Sequence, residues 1–420
     1  MSLEEILSRE NLQAAYKQVM RNKGSAGVDG ETVENLRSYL WDNWANIKTK
    51  ILTGTYRPQP VKRVEIPKPN GGKRLLGIPT VIDRLIQQAI GQQLSKQCDE
   101  SFSEFSYGFR PGKSAHMAVM QAQTYMNEGN IWVVEVDLEK FFDTVNQDRL
   151  MYLLSRRVND KRVLRLIRRI LQSGVQIGST IERMREGTPQ GSPMSPILSN
   201  IVLDELDKEL EKREHKFVRY ADDFCIFTKS ERAGKRVMSS ICIFLEQRLK
   251  LRVNLSKSQV STPQKVKLLG YAFYRRKGMY RLRIHPDSYK KIKLKIKGIT
   301  RKTWSIKFED RIATLRSVIR GWVEYFKLTE SRTPLEVLDC WVRRRLRYCI
   351  WETWKTTRTR IRELRKLGAS ERHAFAWGNT RLGGWRICRS YVLHTTLSNE
   401  YFAARGYVGF VEVYSKCRIG

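Results

Sequence analysis

The stretch Phe217-Val-Arg-Tyr-Ala-Asp-Asp-Phe-Cys-Ile-Phe-Thr228 is the part of this chain that decides its fold. Two apolar runs flank a Tyr-Ala-Asp-Asp segment, which predicts a β-hairpin with Asp222 and Asp223 at a tight tip. A second apolar run, Ile131–Val136, predicts a buried strand that ends at Asp137. Asp is common in turns for local reasons, so neither site alone indicates a function.

The three acidic residues together favour a different interpretation. Carboxylates at the ends of buried strands are costly unless a cation lies between them. Asp137 and the Asp222–Asp223 pair share this setting in a chain whose net charge is +35. Carboxylate oxygens favour Mg²⁺ or Mn²⁺ over zinc, and carboxylates from two strands plus substrate phosphates suit the octahedral coordination of magnesium. The pattern therefore predicts a divalent-metal site.

The charge of the chain indicates a polyanionic partner. The 420 residues include 78 Lys and Arg against 43 Asp and Glu, and 41% of them are hydrophobic, enough for large cores. Residues 281–420 hold 32 basic and 12 acidic residues, a net charge of +20, with Trp and Tyr side chains interleaved. A basic surface that only aids solubility would not need these aromatic residues. Nucleic acid is therefore the preferred partner class.

Several other classes of protein are disfavoured. No run approaches 18 apolar residues, so the sequence predicts no transmembrane helix and no membrane partner. The polar, partly acidic start does not resemble a signal peptide, and we expect a cytoplasmic protein. Seven cysteines and five histidines are dispersed without any Cys-x-x-Cys pair, so neither a zinc site nor a disulfide framework is predicted.

The acidic motifs resemble those of reverse transcriptases. Phe217–Asp223 resembles their Tyr-x-Asp-Asp box, and Val136-Asp-Leu-Glu-Lys-Phe-Phe-Asp-Thr-Val-Asn146 resembles their first palm motif. Tyr-x-Asp-Asp alone is a weak pattern, but its order and its spacing from Asp137 make it specific. Further blocks resemble the family in the family's order, namely 63–69 with 73–84, 106–113, 187–196, 251–258 and 268–271. Together the blocks cover about residues 20–275.

The resemblance implies an α+β right-hand polymerase fold with an antiparallel palm sheet, a helical thumb and a small basic C-terminal domain. It also implies the following division of the chain: N-terminal extension 1–50; fingers 51–130, with 147–195 completing the junction of fingers and palm; palm 131–146 and 196–285; thumb 286–355; basic DNA-binding segment 356–420.

The resemblance also implies the catalytic roles. Asp137 and Asp222 would bridge two Mg²⁺ ions, with Mn²⁺ as a substitute, and Asp223 would complete one coordination shell. Leu138 is included among the metal-binding residues. In this mechanism the primer 3′-oxygen attacks the α-phosphorus of a nucleotide and pyrophosphate leaves.

The expected nucleotide-binding residues are Lys68, Arg74, Lys140, Phe141, Phe142 and Gln190. Lys68 and Arg74 match triphosphate-binding cations of the fingers, although an ordinary basic hairpin is the alternative. Phe142 matches the position that excludes a 2′-hydroxyl, and core packing is its alternative because Phe141 is adjacent. The expected primer- and template-binding residues are Arg63, Lys257, Leu269, Gly270, Arg343, Arg344, Arg345 and Arg347.

Two further stretches resemble group II intron reverse transcriptases. Asn22–Gly30 resembles their N-terminal extension, and Arg320–Phe326 with Trp341–Lys355 resembles their thumb, or maturase, domain. Residues 370–420 lack the Cys and His clusters of an HNH endonuclease, so we expect the compact bacterial class that resembles the IIC lineage. The implied partners are an RNA template with a DNA primer, dNTPs, group II intron RNA and target DNA.

Three alternatives stay open at this point. The first is a free-standing, intron-derived reverse transcriptase that serves DNA repair or defence. The second is an RNA-binding splicing factor with a decayed polymerase, although intact Asp137, Asp222, Asp223, Lys68 and Arg74 argue against decay. The third is an RNA-dependent RNA polymerase, which Phe142 disfavours. The oligomeric state is not predicted.

Overall fold

The computed structural model of the protein describes residues 1–67, 72–184, 186–301, 303 and 305–419. The chain divides into two units, Met1–Pro263 and Gln264–Gly420, and each is described by itself. The boundary falls inside the segment 196–285 that we expected to form part of the palm, and the finer domain division stays a prediction. Within the described ranges, no helix is both long and apolar enough to cross a membrane.

The first unit mixes helices with two four-stranded sheets. Its helices are α1 (Leu3–Ile6), α2 (Arg9–Asn22), α3 (Leu36–Leu52), α4 (Val81–Cys98), α5 (Ala115–Asn127), α6 (Phe141–Thr144), α7 (Gln147–Ser155), α8 (Lys161–Leu171), α9 (Ser195–Lys212) and α10 (Glu231–Gln247). Its strands are β1 (Val61–Pro67), β2 (Lys73–Ile78), β3 (Trp132–Val136), β4 (Val175–Ile177), β5 (Thr180–Glu182), β6 (Lys216–Tyr220), β7 (Asp223–Thr228) and β8 (Gln259–Ser261).

One of these sheets carries the acidic motifs and is antiparallel, as expected for a palm. Its strand order is β6-β7-β3-β8. The pair Tyr220–Asp223 closes the hairpin of β6 and β7, which confirms the hairpin predicted from the sequence. The pair Val136–Phe224 sets β3 beside β7, so Asp137 and the Asp222–Asp223 tip follow the same edge of the sheet.

Helix α10 covers this sheet at very short range. A Cβ atom added to Gly234 would lie 2.7 Å from a methyl carbon of Val260 on β8 and 3.6 Å from a methyl carbon of Val134 on β3. A glycine therefore allows the helix to approach the strands more closely than any side chain would permit. Consecutive residues of β7 from Phe224 to Thr228 are buried, so both faces of this strand are covered, which explains why β7 is apolar along most of its length.

The second sheet contains the predicted fingers hairpin. Its strand order is β2-β1-β4-β5, with β1 and β2 antiparallel and β1 and β4 parallel. The register runs from the pair Lys62–Ile78 to the pair Pro67–Lys73. Most of the turn that connects the two strands lies outside the described residues.

The glycine-rich stretch near residue 25 packs against the start of α4. A Cβ atom on Gly27 would lie 2.6 Å from the Cα atom of Thr80, and the Arg84 guanidinium donates to the Ser25 carbonyl at 2.5 Å. Asp83, which is buried, accepts from the Tyr56 hydroxyl at 2.7 Å. Burial raises the pKa of Asp83, and its hydrogen bonds oppose that rise. These contacts fix the chain on both sides of the fingers hairpin.

The segment 251–254 forms only an isolated bridge, between Leu138 and Val253. Asn254 ends the extended stretch because its carbonyl accepts from the N–H groups of Lys257 and Ser258, which closes a turn. The strand β8 follows this turn. The turn is important for the site because it brings Asn254 and Lys257 beside Asp137.

The second unit is mainly helical. Strands β9 (Tyr271–Arg276) and β10 (Met279–Ile284) form a separate antiparallel hairpin. The helices are α11 (Pro286–Ile299), α12 (Phe308–Tyr325), α13 (Thr333–Thr353), α14 (Thr357–Lys366), α15 (Glu371–Gly378), α16 (Gly384–Ile387), α17 (Tyr391–Thr396), α18 (Asn399–Ala404) and α19 (Phe410–Ile419). Asp339 on α13 is buried and accepts from the N–H groups of Phe410 and Val411, which fixes the start of α19.

Candidate active site

Residues from five separate stretches of the first unit line one polar cavity of about 550 Å³. Eight of them are residues that the sequence singled out, namely Asp137, Leu138, Lys140, Phe141, Phe142, Gln190, Asp222 and Lys257. The remaining lining residues are Glu65, Lys73, Leu75, Glu139, Asp143 and Asn254. The fold therefore gathers on one surface residues that are up to 192 positions apart in the chain.

Asp137 is held through its main chain while its carboxylate stays accessible. Its N–H donates to the Ser258 hydroxyl at 3.1 Å, and its carbonyl accepts from the N–H of Asn254 at 2.8 Å. The carboxylate is 40% exposed, and its Oδ2 atom lies 3.6 Å from the Lys257 Nζ atom. The turn at 254–258 therefore fixes the Asp137 backbone and also supplies a cation near its side chain.

Asp222 and Asp223 occupy the tip of the β6–β7 hairpin. Ala221 and Asp222 form the two-residue connection, and Ala221 has a φ of 58°, a conformation rare for residues other than glycine. Asp222 is half-buried and lines the cavity, whereas Asp223 is exposed and opens β7. Asp222 therefore lines the cavity directly, and Asp223 follows it at the first position of β7.

Leu138 follows Asp137, and its side chain is buried. The hydrogen bonds around its bridge to Val253 run from Asn254 N–H to the Asp137 carbonyl and from Glu139 N–H to the Arg252 carbonyl. In this antiparallel pattern the central residue directs its own N–H and carbonyl away from the partner strand. The Leu138 carbonyl is therefore a main-chain oxygen directed away from the 252–254 segment.

The structure separates the two adjacent phenylalanines. Phe141 is 2% exposed and belongs to the hydrophobic core, whereas Phe142 is half-buried and its ring meets that of Phe141 at 78°. Lys140 precedes α6 with a φ of 46°, so the chain turns sharply there. Phe142 therefore faces the cavity while Phe141 anchors the turn, and the backbone N–H groups of Lys140 and Phe141 lie at the start of α6.

The 187–191 loop positions Gln190 by docking onto two other elements. The N–H of Thr188 donates to the Phe142 carbonyl at 2.6 Å, which ties the loop to α6. The Gln190 carbonyl accepts from the N–H of Gly77 on β2 at 2.8 Å. A Cβ atom on Gly191 would lie 2.8 Å from the Gly77 carbonyl oxygen, so glycine is required for this close approach.

The structure describes only part of the basic hairpin on which we expected the triphosphate-binding cations. Lys68 lies outside the described residues, and the Arg74 side chain is not described, although its backbone pairs with Ile66. Lys73 and Glu65 form an ion pair on the hairpin and line the cavity. Sequence reasoning missed these two residues, although their place on a basic hairpin next to the expected cations could have indicated them.

The predicted primer and template residues are dispersed. Arg63 is half-buried on β1, opposite Gly77. Leu269 and Gly270, in the second unit, form a two-residue turn with φ values of 50° and 84°. The Leu269 carbonyl accepts from the Tyr325 hydroxyl at 2.8 Å, and the Gly270 carbonyl accepts from the Ser288 hydroxyl at 2.9 Å. These bonds fix the turn within its own unit.

The arginine cluster of α13 has structural partners. Arg347 is 4% exposed and donates to the carbonyls of Leu393 and Leu397, so it joins α13 to the end of α17. Arg345 donates to the Thr300 hydroxyl at 2.8 Å, at the end of α11. Arg344 stacks on Trp385, 3.8 Å from the ring centre, and Arg343 is half-buried. We therefore remove Arg347 from the proposed duplex contacts because its guanidinium is buried.

The cavity residues fit a divalent cation that is shared with a bound nucleotide. In the described ranges, no group of three or more His, Cys, Asp and Glu side chains is arranged to hold a metal ion. The available donors are all oxygen atoms, from Asp137, Asp222 and the Leu138 carbonyl. Magnesium is typically held by one or two carboxylates plus substrate phosphates rather than by a complete protein cage. The donor set matches that type of site.

Comparisons with known proteins agree with this geometry. Residues 66–273 match the family "Reverse transcriptase (RNA-dependent DNA polymerase)", and residues 289–368 match the family "Group II intron, maturase-specific domain". The first match covers the cavity residues from Lys73 onward, the palm-type sheet and strand β2, whereas most of β1 precedes it. The fold and site therefore define the right-hand polymerase class, and within it the reverse transcriptases, whose reaction depends on divalent metal.

Two relatives found by sequence comparison narrow the family assignment within the reverse transcriptases. Protein YkfC of Escherichia coli is 31% identical over 296 residues, which cover 61% of this chain and 77% of YkfC. The group II intron-encoded protein LtrA of Lactococcus lactis is 32% identical over 206 residues, which cover 49% of this chain and 34% of LtrA. A chain of the partial Cas6-RT-Cas1–Cas2 complex has a TM-score of 0.37 at 27% identity, covering 58% of this chain and 42% of its own. This chain belongs to the group II intron-encoded reverse transcriptase and maturase family.

Proposed function

We propose that this chain extends a DNA primer on an RNA template by polymerising dNTPs in the cavity of the first unit. The observation that carries the proposal is the convergence of Asp137, Phe142, Gln190 and Asp222 on one cavity from distant parts of the sequence. A cavity of about 550 Å³ lies within the range typical of small-molecule sites and is large enough for a nucleotide.

The chain's own residues have distinct jobs in this proposal. The Phe142 ring lies under the sugar and collides with a 2′-hydroxyl, while Gln190 lines the base side. The N–H groups of Lys140 and Phe141, together with Lys73, Lys68 and Arg74, contact the triphosphate. The primer 3′-oxygen forms a bond to the α-phosphorus, the bond to the β-phosphate oxygen breaks, and pyrophosphate leaves.

The carboxylates of Asp137 and Asp222 would repel a triphosphate by themselves. We propose that these residues, with Asp223 and the Leu138 carbonyl, hold two Mg²⁺ ions, or Mn²⁺ in their place. When bound, the ions stabilise both the attacking and the leaving oxygen. Lys257, whose Nζ atom lies 3.6 Å from the Asp137 carboxylate, contacts the primer–template in this proposal.

Primer extension with Asp222→Asn tests the proposal. We expect extension of a DNA primer on a structured RNA template to be abolished, while RNA binding stays within a few-fold, because the amide keeps the shape of the side chain but removes its charge. Asp42→Asn, which alters an exposed carboxylate on α3, is the matched control and should extend normally. Extension by the Asp222 variant at the wild-type rate would remove the central role of this carboxylate.

We further propose that the second unit binds group II intron RNA, assists its splicing and contacts target DNA. The match of residues 289–368 to the maturase-specific domain supports this role. The test is splicing of the encoding intron at low Mg²⁺ concentration, which should be faster with the protein than without it, and equally fast with the Asp222→Asn variant. Absence of acceleration would favour a reverse transcriptase that acts apart from an intron. A cytoplasmic location is part of the same proposal.

A further inference from the structure

Arg219, three residues before Asp222, is a buried cation beneath the catalytic tip. Its side chain is 0% exposed although it lies on β6 among apolar neighbours. A buried guanidinium is costly unless every N–H donor finds an acceptor. A charge kept inside an apolar strand, at the turn that carries two functional carboxylates, therefore needs an explanation.

All five N–H donors of Arg219 have acceptors. The Nε atom and one Nη2 donor contact the carboxylate of Asp207, with the Nε contact at 2.7 Å. The second Nη2 donor contacts the Ser106 hydroxyl at 2.7 Å. The Nη1 atom donates to the Asn200 side-chain oxygen at 3.0 Å and to the Ala221 carbonyl at 3.0 Å. The last of these bonds reaches the tip itself.

The main chain around Arg219 is fixed by the same elements. Arg219 exchanges hydrogen bonds with the backbone of residues 105 and 107, at 2.9 Å and 2.8 Å. The Asn200 amide donates to the Gly108 carbonyl at 2.9 Å. A Cβ atom on Gly108 would lie 2.3 Å from the Ala221 nitrogen, so the backbone of the 105–108 segment packs directly against the hairpin tip. The 105–108 segment and β6 therefore both contact Ala221, and α9 contacts both of them through Asn200.

We propose that Arg219 is a positioning residue that holds the Ala221 carbonyl and thereby aims Asp222 and Asp223. Ala221 adopts a left-handed conformation that its side chain disfavours, so an outside contact is needed to select it. The Arg219–Ala221 bond supplies that contact, and Asp207 on α9 fixes Arg219 in turn. This inference rests on the polymerase function proposed above. It adds that the Arg219–Ala221 hydrogen bond sets the geometry of the two carboxylates.

A purely structural ion pair is the competing explanation, and the chain offers a matched control for it. Asp204 lies one turn before Asp207 on α9, is also buried and pairs with Arg157. The Arg157 guanidinium donates to Asp204, and the Arg157 carbonyl accepts from the Gln97 amide, so these contacts lie away from the tip. Removing either ion pair should lower the stability of the protein. Only removal of the Arg219–Asp207 pair should change the positions of the Asp222 and Asp223 carboxylates.

The test compares two double variants, Arg219→Met/Asp207→Leu and Arg157→Met/Asp204→Leu. Replacing both partners by apolar residues avoids leaving a lone buried charge. We expect both proteins to bind a primer–template within about threefold of wild type, since misplaced carboxylates should not alter duplex binding. Single-turnover extension at saturating dNTP should fall about 100-fold in the Arg219 variant only, with little change in the KM for dNTP. Mn²⁺ binding, measured by electron paramagnetic resonance in the presence of dNTP, should weaken in the same variant.

The possible outcomes decide between the explanations. A folded Arg219 variant with the wild-type rate and wild-type Mn²⁺ binding would overturn the inference, as would an equal loss in the Arg157 variant. If the Arg219 variant has a much lower melting temperature than the wild type, the extension rate of Gly108→Ala decides the question. This substitution displaces Ala221 and leaves the ion pair intact. Gly108→Ala should then lower the rate without weakening duplex binding, and an unchanged rate would overturn the inference. Absence of extension by the wild-type protein would instead refute the proposed function.

Discussion

At the level of single residues, two side chains that are adjacent in the sequence can have different surroundings because the chain turns next to them. Phe141 and Phe142 are adjacent and chemically identical, and the sequence could not say which one faces the substrate. The turn at Lys140 sends Phe141 into the core and leaves Phe142 on the cavity wall. Phe142 also packs against the core, so its core-packing alternative stays open, and sugar selection by Phe142 is open to a direct test.

We expect Phe142→Val to increase NTP incorporation relative to dNTP incorporation by about tenfold or more, because the smaller side chain leaves room for a 2′-hydroxyl. The measurement is the ratio of kcat/KM for the two nucleotides on one primer–template. Phe141→Leu is the control, since it should lower the melting temperature and keep the selectivity. Unchanged selectivity of the Phe142 variant would show that this ring does not contact the sugar.

At the scale of elements, many charges that suggest nucleic-acid binding in fact join elements together. The basic helix α8 illustrates this point. Arg162 pairs with Asp160 and Glu4, Arg168 pairs with Asp148, and the Arg169 guanidinium donates to the Gly54 carbonyl. A basic face read from a helical pattern cannot distinguish such partners from phosphates, because partners such as Glu4 and Gly54 lie far away in the sequence.

Asp160 gives this element a defined pH dependence. Its carboxylate accepts from Arg162 and from the N–H of Leu3, and the Arg162 contact is the main cause that lowers its pKa to about 2. A carboxyl whose pKa is lower in the folded than in the unfolded state stabilises the protein above its unfolded pKa, and this stabilisation disappears as the pH falls toward 2.

We therefore expect Asp160→Asn to lower the free energy of unfolding by about 1–2 kcal/mol at pH 7, and by roughly half as much at pH 3, where the folded carboxyl is still mostly ionised. Asn keeps the helix cap, so the loss reports the charge rather than the capping bond. Urea unfolding of the first unit at both pH values measures the difference, with Asp42→Asn as the exposed control. An equal loss at pH 7 and pH 3 would contradict the assignment.

At the scale of the whole molecule, the net charge of +35 divides into structural and available charges. The arginines of α13 mostly have protein partners, whereas α11 carries exposed lysines at positions 290, 291, 295 and 297. The buried side of α11 contains Ile292 and Ile296, so the lysines lie on its solvent side. We expect this lysine face to contribute more to RNA binding than Arg345 or Arg347.

Changing the four exposed lysines of α11 to Gln should reduce the salt dependence of RNA binding. Each lost phosphate contact lowers the slope of log affinity against log salt concentration by about 0.7 to 0.9. The measurement is RNA affinity across a series of KCl concentrations. Arg345→Gln is the control, for which we expect a lower melting temperature and a nearly unchanged slope. An unchanged slope in the lysine variant would place the RNA contacts elsewhere.

The sequence by itself determined the reaction class. The order and spacing of Asp137, Phe142, Gln190 and the Asp222–Asp223 tip predicted the palm-type hairpin, the family and the residues that meet at the cavity. Strand alternation and turn chemistry are local properties that predict the hairpin, whereas the residues that meet at the cavity were implied by the resemblance of the ordered motifs to reverse transcriptases. The family assignment and the fold class were confirmed, while the roles of individual residues stay predictions.

Only the tertiary structure decided how each charge is used. It placed Lys73, Glu65 and Asn254 at the cavity, buried Arg347, and paired Arg219 with Asp207 beneath the tip. A charged residue within an apolar strand was a signal for Arg219, but its partners come from other elements. The burial and pairing of a charged side chain depend on contacts between segments that are distant in the sequence. These contacts, rather than its neighbours in the sequence, set the free-energy cost of burying the charge and the role that the charge can have.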